Sequence, residues 1–172
     1  MPSYQVRPAI PRDAMAIADI FAAAIQVSYL DLVPDDQIAA LYATKRQGYW
    51  REAIEMGEPQ IQVVVDGEQV VGFVGYDRSR DAGTPSTMGE IWQIYVTPTR
   101  WDTSAGLALW DAARDGLEEE GCTHVSLWLP MRNDRALRFH EIAGFKREMP
   151  SAKTVDMGGT KVEMVRLKRA IG

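Results

Sequence analysis

The stretch from Met88 to Gly121, MGEIWQIYVTPTRWDTSAGLALWDAARDGLEEEG, predicts a strand, a short turn and an amphipathic helix in immediate succession. Ile91, Trp92, Ile94, Tyr95 and Val96 form a run broken only by Gln93, and branched and aromatic side chains of this kind suit a pleated, half-buried surface. Pro98 lacks the N–H that a ladder needs and closes the strand. Asp102, Thr103 and Ser104 can each cap a helix, after which Leu109, Trp110, Ala113 and Leu117 recur on one face at helical spacing. Glu118 to Glu120 are its solvated end and Gly121 stops it. A strand delivered straight into a helix aims free backbone N–H groups and the positive end of the helix dipole at one point. That arrangement suits a phosphate or pyrophosphate, although any strand–turn–helix crossover contains it.

The chain downstream narrows the choice. Thr123 to Leu129 reads as a buried strand, and the segment that follows is Asn133-Asp134-Arg135-Ala136-Leu137-Arg138-Phe139-His140-Glu141-Ile142-Ala143-Gly144-Phe145-Lys146. This order resembles the GNAT superfamily of acyl-CoA-dependent N-acetyltransferases. There a strand ending in V-x-P leads to a pyrophosphate loop and helix, then a strand, then N-x-x-A-x-x-F-Y-x-x-x-G-F. Val96, Pro98, Gly106, Ala108, Leu109, Asn133, Ala136, Phe139, Gly144 and Phe145 carry the match. The "V-R-P-A" opening at Val6 to Ala9 extends it across almost the whole chain.

The resemblance implies a mixed α/β fold: a twisted, mostly antiparallel sheet with helices on both faces and a central V-shaped split. It further implies acetyl-CoA as cosubstrate, lying along Ile94, Tyr95 and Val96, with its pyrophosphate over Trp101, Asp102, Thr103, Ser104, Ala105, Gly106 and Leu107 and an amide contact from Asn133. The implied reaction is direct acetyl transfer to a primary amine on a small molecule, protein or peptide. Glu90 lies sixteen residues before Gly106, the spacing of a glutamate that some members use as general base; a solvated strand-end carboxylate is the alternative. His140 occupies the place of the tyrosine that protonates the departing thiolate, and imidazole can donate near neutral pH. A hydrogen-bonded helix-face histidine is its alternative. Tyr29 and Trp50, with Tyr42 and Tyr49, fall where members contact the acceptor, or else simply pack.

The loop itself departs from the pattern. Trp101 replaces the usual Arg or Gln and Ser104 the central Gly, leaving Arg100 as the nearest cation. A second reading follows, in which a GNAT-like domain with a degenerate loop serves as a non-catalytic binding or regulatory module. A bulkier acyl-CoA is a third.

Global properties are compatible with these readings. A chain of 172 residues, 46% hydrophobic and 25% charged, suits one globular domain over residues 1–172. A net charge of −5 argues against nucleic-acid or anionic-membrane surfaces and leans towards a cationic partner such as an amine. Cys122 is the sole cysteine, so no intrachain disulfide is expected, and two histidines, His124 and His140, without a Cys/His cluster predict no metal site. With no signal-like or membrane-spanning run, a cytoplasmic location is expected. A homodimer is the expected assembly.

Elsewhere Tyr4 to Ala9 reads as a strand, and Pro11 opens a helix with Ile17, Ile20, Phe21, Ala24 and Ile25 as its apolar stripe. Helical periodicity breaks around Pro34, restarts at Asp35 and Asp36, and continues towards Ala53. Ile61, Val63 and Val65 alternate into the Asp66-Gly67 turn and a return strand from Val70, a hairpin in which Gly72 and Gly75 predict close backbone approach. Ser151 to Thr160 is expected to hold a turn at Gly158-Gly159 before a last strand through Val162, Met164, Val165 and Leu167. The carbonyl-polarising N–H is expected at a bulge near Ile94 to Val96, and His124 and Trp128 are expected to pack.

Overall fold

In the computed structural model, which describes residues 3–172, the sheet grows outward from the predicted hairpin. Strands β2 (Gln60–Asp66) and β3 (Gln69–Arg78) turn through Gly67, whose φ of 64° lies in the left-handed region that glycine adopts without strain. β1 (Tyr4–Pro8) pairs with β2, and β4 (Met88–Val96) pairs with β3, both antiparallel. β5 (His124–Pro130) joins β4 in parallel, and β6 (Lys146–Met157) and β7 (Thr160–Ala170) complete the order β1-β2-β3-β4-β5-β7-β6. The result is a seven-stranded, mostly antiparallel sheet with helices on both faces.

A short 3₁₀ turn at Pro11–Asp13 leads into α1 (Ala14–Ser28), followed by α2 (Asp35–Ala43) and α3 (Gln47–Met56). The predicted α1 stripe is buried, and it shares one core with Trp50, Val63 and Phe73. α4 (Ala105–Glu119) crosses the opposite face and buries Leu109, Trp110, Ala113 and Leu117 against Val64, Val71 and Val125. α5 (Asp134–Ile142) follows β5. Gly72 is required by proximity: a Cβ there would stand 2.9 Å from the Tyr95 carbonyl oxygen on the neighbouring strand.

Three local expectations are revised. The helical pattern from Asp35 to Ala53 is interrupted at residues 44–46, where no glycine or proline marks a stop; the Trp50 indole N–H donates to the Lys45 carbonyl at 3.0 Å and draws its ring into the core. The turn expected at Gly158-Gly159 lies there, but the residues ahead of it, from Ser151 to Met157, are strand, because β7 supplies the ladder. The β4 irregularity falls earlier than Ile94 to Val96. Tyr76 pairs with Ile91 and Gly75 with Gln93, so Trp92 is the extra residue.

Candidate active site

β4 and β5 pair only through Met88–His124, Gly89–Val125 and Glu90–Ser126. Beyond that point they part. A bulge adds local twist to the strand that carries it, and the extra residue Trp92 stands at the start of the splayed segment. The opening is a cleft that is partly open to solvent. Residues 91–96 line one wall and residues 127–130 the other, with Ser28 and Tyr29 from the end of α1 and five residues of or before α5 closing the ends. Most of this lining is apolar, with a few polar groups between, the usual composition of a ligand site.

Glu90 sits where the strands are still zipped and is not in the cleft lining. Its carboxylate is buried, accepting from the Arg80 backbone N–H at 2.9 Å and from the Arg80 guanidinium at 2.7 Å. Arg80 in turn lies over the Trp92 ring, 4.1 Å from its centroid. Both oxygens of the Glu90 carboxylate are thus hydrogen-bonded within the protein.

His140 does line the cleft, packed edge-on against Phe139 and Phe145. Its Nδ1 is 2.8 Å from the Ala136 carbonyl, which can only accept, so that nitrogen carries the hydrogen and Nε2 presents a lone pair. Burial lowers the imidazole from its ordinary 6.5 to about 4, against a smaller opposing effect of the Ala136 bond. At neutral pH the ring is therefore a hydrogen-bond acceptor at Nε2. The proton donation to a leaving thiolate expected of this residue would require the ring to be protonated first.

The predicted phosphate loop divides into lining and rim. Ile94, Tyr95, Val96, Trp101, Gly106 and Asn133 line the cleft, whereas Asp102, Thr103, Ser104, Ala105 and Leu107 do not. Ala105 is fully buried and Leu107 half-exposed. Ser104 stands at the helix start without a side-chain cap, and the Thr103 hydroxyl donates to the Arg100 carbonyl at 2.6 Å. The N–H groups of Gly106 and Leu107 are consequently claimed by no side chain among the described residues. Asn133 caps α5, its side-chain oxygen accepting from Ala136 N–H at 3.2 Å.

Arg100 faces elsewhere, bound to Asp66 at 2.7 Å and to the Tyr4 hydroxyl at 3.3 Å. The cation in the cleft is instead Arg135, whose guanidinium carbon lies 3.4 Å from the centroid of the Trp101 ring. The indole is itself pinned by its N–H to the Val96 carbonyl at 2.8 Å. Stacking of this kind contributes roughly 0.5–2 kcal/mol, more as the pair is desolvated. Burial lowers the Arg135 guanidinium from its ordinary value, an effect that nearby Asp102 opposes. Trp101, which looks like a loss from the loop, thus holds a cation delivered by α5.

On the other side Tyr29, Gln93 and Tyr95 converge. Burial pushes the Tyr29 hydroxyl up to about 12 and that of Tyr95 further, so both stay protonated. Neither hydroxyl has a hydrogen-bond partner among the described residues, and the buried Gln93 carboxamide oxygen has none either. Gly75 makes room for it: a Cβ there would lie 2.5 Å from that oxygen. Trp128 lines the cleft, its indole N–H donating to both Asp81 oxygens at 3.1 Å. His124 is exposed at the far end of β5. Trp50 is fully buried behind Phe21 and Phe73 and outside the cleft; the exposed Tyr49 and the half-buried Tyr42, which accepts from Gln26, also lie outside it.

This splayed-strand arrangement coincides with a sequence match: the acetyltransferase (GNAT) family matches residues 22–145. The chain belongs to that family. Its fold is that of several solved GNAT structures. A GCN5-related N-acetyltransferase from Rhodopseudomonas palustris superposes with a TM-score of 0.78 at 21% identity, covering 99% of this chain and 98% of that one. The PaiA N-acetyltransferase of Thermoplasma acidophilum, solved with coenzyme A, gives 0.77 at 14% identity over 98% and 99% of the two chains. YncA of Salmonella typhimurium, solved with acetyl-CoA, gives 0.72 at 18% identity over 98% and 94%. Mycothiol acetyltransferase of Kocuria rhizophila is 29% identical over 82 residues, which span 48% of this chain and 27% of that relative's length.

Within this GNAT domain, sequence reasoning passed over Arg135, Gln93 and Trp128. Gln93 carried a signal, being the one polar residue in an apolar strand. Arg135 and Trp128 carried none, because an arginine in a first helical turn and a tryptophan in a strand are both ordinary.

Proposed function

We propose that the protein transfers an acetyl group from acetyl-CoA to a primary amine within the cleft between β4 and β5. The observation that carries this reading is the parting of those strands after Glu90 and Ser126, which opens a cleft bordered by Gly106 of the first turn of α4. The acetyl-CoA and coenzyme A bound by YncA and PaiA support it.

The residues present suit such a ligand. Unclaimed N–H groups at the start of α4 and the Arg135 guanidinium would hold phosphate oxygens, and the exposed edge of residues 94–96 would align the pantetheine chain. Bound acetyl-CoA supplies an activated thioester carbonyl. The amine lone pair forms a C–N bond to that carbon, the C–S bond breaks, CoA leaves as thiolate, and the proton lost by nitrogen ends on sulfur. In this scheme His140 Nε2 receives a hydrogen bond from the reacting N–H or the departing S–H. It neither carries nor gives a proton at pH 7.

Calorimetric titration of acetyl-CoA into the protein, followed by a free-thiol assay with simple amines, tests the proposal. Saturable binding of roughly 10 μM or tighter with amine-dependent thiol release is expected. Absence of binding heat at two temperatures, with no thermal shift, overturns it.

A further inference from the structure

The cleft has an unusual charge inventory for a site that must handle an amine. None of its lining residues is Asp or Glu, and its one charged member, Arg135, is a cation. Of the acids around it, Glu90 is committed to Arg80, and Asp81 to the Trp128 indole and, at 3.2 Å, to Arg166, while Asp102 stands on the opposite side of the cleft beside Arg135. Behind Tyr95 the Phe21 ring packs at 5.4 Å, and the Lys45 ammonium lies over that ring at 5.6 Å with no salt-bridge partner among the described residues. This side therefore offers no carboxylate in the lining where an ammonium would need a counter-ion. Moving an unpaired charge out of water is strongly unfavourable.

Nor can the cleft neutralise an ammonium after it arrives. His140 is too weak a base to deprotonate an alkylammonium, whose ordinary pKa is about 10.4. The Tyr29 and Tyr95 hydroxyls stay protonated. What the acceptor side offers instead is uncharged polar groups: the two tyrosine hydroxyls and the Gln93 carboxamide, whose oxygen is buried against Gly75 and unsatisfied in the arrangement described. An orphaned buried acceptor of this kind is costly unless a ligand satisfies it. These groups match a neutral N–H and its polar neighbours.

We infer that the acceptor is a weakly basic primary amine that enters uncharged, of the α-amino or amino-sugar kind, and not a lysine-like alkylamine. This rests on the acetyl-transfer reading above and adds the substrate class. The discrimination comes from ionisation. At pH 7 an amine of pKa about 8 is neutral about 200 times more often than one of pKa about 10.4.

The test compares glycinamide with Nα-acetyl-lysinamide as acceptors for the wild-type protein, measuring kcat/KM by thiol release from pH 7 to pH 10 alongside acetyl-CoA binding by calorimetry. The expected result is a preference of about 100-fold for glycinamide at pH 7. Between pH 8 and pH 10 the gap should narrow by about five- to sevenfold per pH unit, as the ε-amine loses its proton while glycinamide is already largely neutral. Gln93→Glu, which places a carboxylate in the cleft, should raise ε-amine kcat/KM at pH 7 by at least about tenfold relative to glycinamide. Should that variant fold poorly, the wild-type pH profile decides alone. Equal turnover of both amines at pH 7, without pH dependence, overturns this inference and leaves acetyl transfer standing. Acetyl-CoA binding without turnover of either amine removes the transfer reading and this inference together.

Discussion

At its start β4 is zipped to β5, and there the polar side chains are matched: Glu90 is held by Arg80, and the Ser126 hydroxyl reaches the Gly89 carbonyl at 3.5 Å. A few residues on, the same strand stands apart from β5. In this region the Gln93 oxygen, the Tyr29 and Tyr95 hydroxyls and His140 Nε2 have no partner among the described residues. Glu90 and His140 are nearly equally buried, at 2% and 5% exposed. Burial therefore does not separate the fully bonded group from the one with a free lone pair. What separates them is whether the protein has already satisfied the group, since unsatisfied buried polar atoms persist where a ligand is to complete them.

The contrast can be broken first at His140. The unfolded chain binds a proton there below about pH 6.5 and the folded chain only near pH 4. Stability is thus unaffected above pH 6.5, falls through that window, and is lower by about 3 kcal/mol beneath it. Urea melts of wild type and His140→Phe between pH 7 and pH 4 should show a slope that the variant lacks; parallel curves would mean that the ring is not desolvated as described.

A smaller loss, about 2 kcal/mol, is expected for Glu90→Ala, which leaves the Arg80 backbone N–H and guanidinium without their acceptor. Acetyl-CoA affinity should stay within about twofold, because the zipped end contributes nothing to the cleft. A large affinity change with little change in Tm would reverse the assignment of the two ends. Arg135→Ala should weaken acetyl-CoA about tenfold, or about 1.4 kcal/mol, and calorimetry with dephospho-CoA as a second ligand would locate the phosphate concerned. Least in energy is Gln93→Leu. Removing an orphaned acceptor should leave stability unchanged or raise it by about 1 kcal/mol, while acceptor kcat/KM falls. Destabilisation would show that the carboxamide is structurally satisfied after all.

Much of the fold was legible in local pattern. The Asp66-Gly67 hairpin, the Ile17-to-Ile25 stripe and the Leu109-to-Leu117 face all lie where their spacing placed them, since period and turn chemistry are properties of contiguous residues. The break after Ala43 was not legible, because no glycine or proline marks it and the Trp50 indole bond to the Lys45 carbonyl that accompanies it is visible only once the chain is folded. The loop from Trp101 to Gly106 was legible as a departure from the family pattern, but its reason was not. A cation stacked on Trp101 comes from a helix more than thirty residues further along the chain.

By itself the sequence determined the succession of elements, the apolar faces that pair them, and membership of the GNAT family, all of which depend on near neighbours and short motifs. Only the tertiary structure decided which chemically able residues are free to act. Arg80 closes over Glu90, Asp66 draws Arg100 away, the Ala136 carbonyl selects the His140 tautomer, and Gly75 leaves room for a buried Gln93 oxygen that has no hydrogen-bond partner. Each outcome depends on hydrogen-bond distances of about 3 Å, and several join residues far apart in the chain, which is information that residue spacing alone does not hold.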